Sequence, residues 1–221
     1  GSSRDRFAAR LKWWVLPFRR AAQRSGLTQA LGLWLMDPRW PKLKFIDPSP
    51  FLVKSNALVV ESGIFRFSNW RKLLYDRRLR PIVEDRRCAI FCYGLSSATG
   101  ARIRFAEFEC SDYDYVLSFE HDDQLSFAAL QMKQLPSEHL NSSATIEQQI
   151  KKLKKYASSS DLVVAIHVGR NVEIDLAALD LTDLPIGELW LFGQTSDNSW
   201  RMLGDLLSSD PCSIAFTLPK T

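Results

Sequence analysis

Cysteine and histidine are scarce in this chain, and their scarcity removes two common architectures. The four cysteines, Cys88, Cys92, Cys110 and Cys212, form no CxxC pair, and His121, His139 and His167 have no metal-ligand spacing. A structural zinc site or a disulfide framework needs paired thiols or imidazoles at short intervals, so neither is expected. Cys88 and Cys92 lie one helical turn apart, where small thiols pack as hydrophobes, and this usage points to a reducing cytoplasm. No run of about eighteen apolar residues occurs, so no ordinary membrane-spanning helix is expected. Repeats and low-complexity tracts are absent too. What remains is a chain of 221 residues, 46% hydrophobic, long enough to bury one substantial core or a core plus a small accessory domain.

Charge is uneven along the sequence. Residues 1–80 carry 17 Lys and Arg against 5 Asp and Glu, a balance of +12, while residues 81–221 carry 12 against 20, a balance of −8; together they give the net +4. A basic section joined to an acidic body fits a DNA-binding arm on a carboxylate-bearing catalytic body, because phosphate neutralisation supplies most non-specific affinity. The same split would serve docking of the two halves, or contact with an acidic partner subunit, and a homo-oligomer is compatible with it.

Residues 1–50 read as a basic helical arm and a Pro-rich connector. Trp13, Trp14, Leu16 and Phe18 alternate there with bases that include Arg19 and Arg20, and Pro17 interrupts the pattern. This texture also suits a transit peptide or a membrane-surface helix. Residues 51–80 read as an accessory strand and helix: Leu58-Val59-Val60-Glu61 alternates, and Phe65, Phe67 and Trp70 precede a basic helix carrying Arg71, Lys72, Arg77 and Arg78. Bases interleaved with aromatics can hold nucleic acid by charge and stacking, though a helix with one buried and one solvated face has the same composition.

The third part, residues 81–221, carries the chemistry. Tyr113-Asp114-Tyr115-Val116-Leu117 and Phe127 to Lys133 both read as strands, and the polar His121-Asp122-Asp123-Gln124 between them predicts an antiparallel hairpin. Because side chains alternate across a strand, Gln131 and Lys133 share a face, and Asp114 can approach them at the open end. Asp114 and the Gln131 amide oxygen are hard ligands suited to Mg²⁺ or Mn²⁺, and Lys133 can act on a water and offset charge at phosphorus. Upstream, Pro81 to Leu95 predicts a helix bearing Glu84, and Arg102 to Cys110 alternates as a strand with Glu107 and Glu109 on one face. Glu84 equally suits a helix dipole, and Asp114 and Lys133 equally suit strand ends. Downstream, Thr145 caps a predicted helix running to Tyr156, Asp161 to Val168 reads as a buried strand, Glu188 to Gly193 as another, and Trp200 to Leu207 as a short helix.

At these residues the chain resembles the PD-(D/E)XK phosphodiesterase superfamily, in the variant that has Gln-x-Lys, over roughly residues 81 to 170. The resemblance implies an α/β restriction-endonuclease-like core, a mixed central sheet flanked by helices, behind the basic helical N-terminal region. It implies a Mg²⁺- or Mn²⁺-dependent DNA endonuclease of restriction, phage defence or transposition. Asp114 and Gln131 would hold the metal, Lys133 would act on the water, and Glu84 or Glu109 would complete the shell. Tyr113 stands where the family often has proline, and Gln131 where it has an acid, which lowers the anionic ligand count. A catalytically silent nuclease-fold module that binds nucleic acid or a partner subunit is the alternative.

Overall fold

The structure is a computed structural model that describes residues 37–62, 80–108, 110–121, 124–156, 159–196 and 198–220. Arg19, Arg20, Arg71, Lys72, Arg77 and Arg78, the expected nucleic-acid contacts, lie outside those residues, as does Glu109. The fold is mixed α/β. Helix α1 spans Pro48–Ser62 and starts where Asp47 accepts a hydrogen bond from the Ser49 amide at 3.0 Å. Leu58 to Glu61, expected as a strand, lies inside this helix. The β-branched pair Val59-Val60 gives a weak local preference, and a helix begun upstream overrides it.

Helix α2 spans Arg80–Thr99. It stops at Gly100, whose φ of 69° glycine adopts without strain and whose amide donates to the Ser96 carbonyl at 2.9 Å. Its inner face, Cys88, Ala89, Phe91, Cys92 and Leu95, is fully buried, so the two thiols one turn apart do pack as hydrophobes. Among the described residues no helix is long and apolar enough to cross a membrane.

Seven strands form one sheet in sequence order: β1 Arg102–Glu107, β2 Tyr115–His121, β3 Gln124–Leu135, β4 Ser159–Val168, β5 Ile186–Ser196, β6 Ser199–Gly204 and β7 Cys212–Thr217. β1, β2 and β3 are an antiparallel meander, β3, β4 and β5 run parallel, and β6 and β7 return antiparallel. The β3-to-β4 crossover carries helix α3, Ile146–Lys151, and a 3-10 turn, Lys152–Lys155. β4 is buried on both faces through Leu162 to Ile166, as a central parallel strand must be. Trp200 to Leu207, expected as a helix, instead begins within β6, in which Trp200, Met202 and Gly204 are buried in alternation.

Two buried clusters lie on the two faces of the sheet. One joins α1 and α2 to Phe105, Leu117, Leu130, Ala165, Trp190 and Phe192; the other joins α3 and its turn to Ala129, Val164, Ile166, Leu189 and Leu191. Phe91 anchors the first, edge-on to Trp190 at 6.0 Å and tilted on Phe192 at 5.6 Å. Truncating such a ring to alanine costs about 3–5 kcal/mol.

Candidate functional site

The hairpin register places the candidate residues. Tyr115 pairs with Leu130 at the start of β2, so Asp114, one residue outward, stands across from Gln131. The Asp114 amide donates to the Leu130 carbonyl at 3.1 Å and keeps the pair in register. From Gln131 onward β3 has lost β2 as a partner but continues against β4, with Gln131 beside Val164 and Lys133 beside Ile166. The sheet therefore opens at this point, and Lys133 lies on the side where it opens.

Four side chains meet there. The Gln131 amide nitrogen donates to Asp114 Oδ2, and to the Met132 carbonyl at 3.2 Å. Asp114 Oδ2 also accepts from the Met132 amide at 3.3 Å. Tyr156, carried in by the turn after α3, donates its hydroxyl to Gln131 Oε1 at 3.1 Å. The Lys133 ammonium lies 5.8 Å from the Tyr156 ring centroid. Gln131 and Tyr156 are both buried, while Lys133 is partly buried. Burial pulls the Lys133 pKa below the usual lysine value, and the Asp114 charge acts against that pull. Burial likewise raises the Tyr156 phenol, with Lys155 opposing and Asp114 and Asp112 adding. This phenol stays protonated and can donate or accept.

Glu84 lies on α2, over the other face of the sheet. Its charge is felt by Arg87, Tyr115 and Asp85. Its neighbour Asp85 accepts from the Tyr115 hydroxyl at 3.0 Å, and burial raises the Asp85 pKa. Tyr115 points toward α2 and Asp114 away from it, as neighbours on a strand must. The two faces stay in electrostatic contact, since the Asp114 charge reaches Cys88 of α2.

The donor set can be tested for a hard divalent cation. Asp114 Oδ2 and the Met132 carbonyl converge on one point, now taken by the Gln131 amide nitrogen. The two ends of a Gln amide are assigned from their hydrogen bonds. With the amide turned over, its oxygen joins the other two, and its nitrogen donates to Tyr156, whose hydroxyl can also accept. That brings one carboxylate and two neutral oxygens to the same edge, the hard donor types that Mg²⁺ and Mn²⁺ prefer. Among the described residues no group of three or more His, Cys, Asp and Glu is placed to hold a metal ion.

Tyr156 is the part of the site that the sequence alone did not disclose. It ends a lysine-rich turn 25 residues after Gln131, and nothing local to it shows that the turn folds back over β3. His167, expected as a plain strand residue, packs between Phe192 at 5.2 Å and Trp200 at 5.9 Å. Its Nδ1 is buried without a hydrogen-bond partner, and burial, aided by Arg87 and Arg86, takes its pKa down to about 3. Against protein-family models, curated proteins and solved structures, the chain has no match.

Proposed function

We propose that this chain is a metal-dependent phosphodiesterase of the PD-(D/E)XK type that cleaves DNA at Asp114, Gln131 and Lys133. One observation carries the reading: Asp114 faces Gln131 across β2 and β3 where the sheet opens, with Lys133 two residues on and on the same face. The element order supports it further. A helix, three antiparallel strands, a helix and a strand parallel to the third follow one another from α2 to β4, as in that superfamily's core.

Asp114, Gln131 Oε1 and the Met132 carbonyl are the oxygens that would hold the cation. Bound there, a divalent ion supplies Lewis-acid stabilisation of charge on the phosphoryl oxygens. The protein's own groups do the rest. Lys133, with its charged form disfavoured by burial and favoured by Asp114, would orient a water and offset charge that grows at phosphorus. Tyr156 holds the Gln131 amide from behind, so neither end of that buried group is left unpaired.

The test is cleavage of plasmid and single-stranded DNA with Mg²⁺ or Mn²⁺. Asp114→Ala and Lys133→Ala should each lower cleavage by at least about a hundredfold while melting stays cooperative, since neither opens a large apolar cavity. Cleavage equal to the parent's in both variants overturns the assignment. The silent-module alternative is favoured by the single carboxylate of the donor set, and it requires that Mn²⁺ not bind at all.

A further inference from the structure

Beside Asp114 the chain carries a layered set of planes that lies outside the fully buried part of either cluster. Phe108 stacks on Tyr113 with ring centroids 5.7 Å apart and 10° between the planes. The Arg39 guanidinium lies 4.7 Å from the Phe108 centroid, and Trp40 meets Tyr113 edge-on at 5.9 Å while its indole N–H donates to the Tyr113 hydroxyl at 3.3 Å. Arg39 is 70% exposed, yet it is anchored by Asp37, whose carboxylate accepts from its Nη2 at 2.6 Å and its Nε at 3.0 Å. Phe108, Tyr113 and Trp40 are each partly exposed. The loop is tied to the site itself: the Phe108 amide donates to the Asp114 carbonyl at 2.9 Å.

A second feature lies at the end of α3 and on the turn that carries Tyr156. Lys151, Lys152, Lys154 and Lys155 are all exposed, and Lys154 is paired with Asp180 at 2.7 Å. These four supply a third of the 12 basic residues of a part of the chain whose balance is −8. This lysine cluster leads into Tyr156, with the Lys155 ammonium 5.7 Å from its ring centroid, and so lies next to Gln131 and Lys133.

We infer that this edge binds a single strand of nucleic acid, with an unpaired base on the Arg39, Phe108 and Tyr113 stack and phosphates on Lys151, Lys152 and Lys155. The strand crosses Asp114 between the two. Selection follows from the stack: a base inside a duplex has both faces covered by its neighbours, whereas an unpaired base offers a face to a protein ring or guanidinium. The outcome at Asp114 rests on the phosphodiester reading above. The binding does not.

The test is fluorescence anisotropy of the full chain in EDTA, so that no cleavage occurs, with a mixed-sequence oligodeoxynucleotide of about 20 residues and its blunt duplex across a salt series. Phe108→Ala should weaken single-strand binding about tenfold and leave duplex binding within about twofold. Arg39→Gln, an exposed change that leaves the fold intact, should act in the same direction if the Phe108 variant melts early. Lys151→Gln, Lys152→Gln and Lys155→Gln together should lower the salt slope for the single strand by about 2, because each lost phosphate contact removes roughly 0.7. The inference fails if both Phe108→Ala and Arg39→Gln bind single strands like the parent, or if the triple lysine variant keeps its slope. It fails also if no oligonucleotide binds. Binding that persists in a chain without cleavage activity sinks the phosphodiester reading alone, whereas cleavage with unaltered single-strand affinity in these variants sinks the track alone.

Discussion

Gln131 has two chemically different ends, and its neighbours decide which one faces Asp114. The Tyr156 hydroxyl donates to Oε1, so the amide nitrogen turns to the carboxylate and offsets its charge without a metal. Replacing that nitrogen with a second carboxylate oxygen places like charges in contact, which destabilises the metal-free site and raises the affinity for a hard cation. Gln131→Glu should therefore bind Mn²⁺ at least about tenfold more tightly in a calorimetric titration, and should melt earlier than the parent in EDTA. An unchanged Mn²⁺ affinity would mean that Gln131 is no ligand, and would leave the silent module standing.

At the scale of elements, the site depends on how α3 and its turn are held, because that is what suspends Tyr156 over β3. Thr145 caps α3 reciprocally: its hydroxyl accepts from the Gln148 amide at 3.2 Å, and its own amide donates to Gln148 Oε1 at 3.3 Å. A helix of six residues has little cooperativity of its own, so this cap and the buried Ile146, Ile150 and Leu153 fix it. Thr145→Ala should cost about 1 kcal/mol in urea denaturation, and the hydrogen-exchange protection of residues 146–156 should fall more than that of the sheet. Equal loss everywhere would show that the turn is no separate unit. The cap, the hairpin and the shared face of Gln131 and Lys133 were legible in the sequence because each is a local pattern, set by one offset or by the two-residue period of a strand. The misreadings have physical causes as well. In Leu58-Val59-Val60 a β-branched run sits in a helix started by Asp47 and Pro48, and in Trp200 to Leu207 the spacing of Trp200, Leu203 and Leu207 mimics a helical stripe. The buried set there is Trp200, Met202 and Gly204, a strand's period. Tyr156 reaches Gln131 through the length of a crossover, and Phe108 reaches Asp114 across a loop; neither contact leaves a mark on its own neighbourhood.

For the molecule as a whole, two buried titratable groups on neighbouring strands give opposite pH dependences. Glu188 on β5 is buried with its carboxylate accepting from the Trp190 indole at 2.8 Å; burial pushes its pKa up to about 7 from 4.5, the indole opposes this, and Asp205 adds to it. His167 on β4 is held neutral, down to about 3 from 6.5. Between about pH 4.5 and 7 the native chain keeps a proton on Glu188 that the unfolded chain releases, so this group's contribution falls as pH rises, by about 3 kcal/mol over the window. Between about pH 3 and 6.5 the unfolded chain takes up a proton on His167 that the native chain refuses, so this contribution rises with pH. The two slopes oppose one another where the windows overlap, so these two contributions largely offset there. Glu188→Gln keeps an oxygen for the indole N–H and removes the falling slope, so its urea midpoint should climb steadily from pH 5 to 6.5. His167→Phe keeps an aromatic ring against Phe192 and Trp200 and removes the rising slope, so its midpoint should fall over the same range. Denaturation curves at pH 5, 6 and 6.5 distinguish these outcomes; if both variants run parallel to the parent, burial in the sheet is not what governs either group.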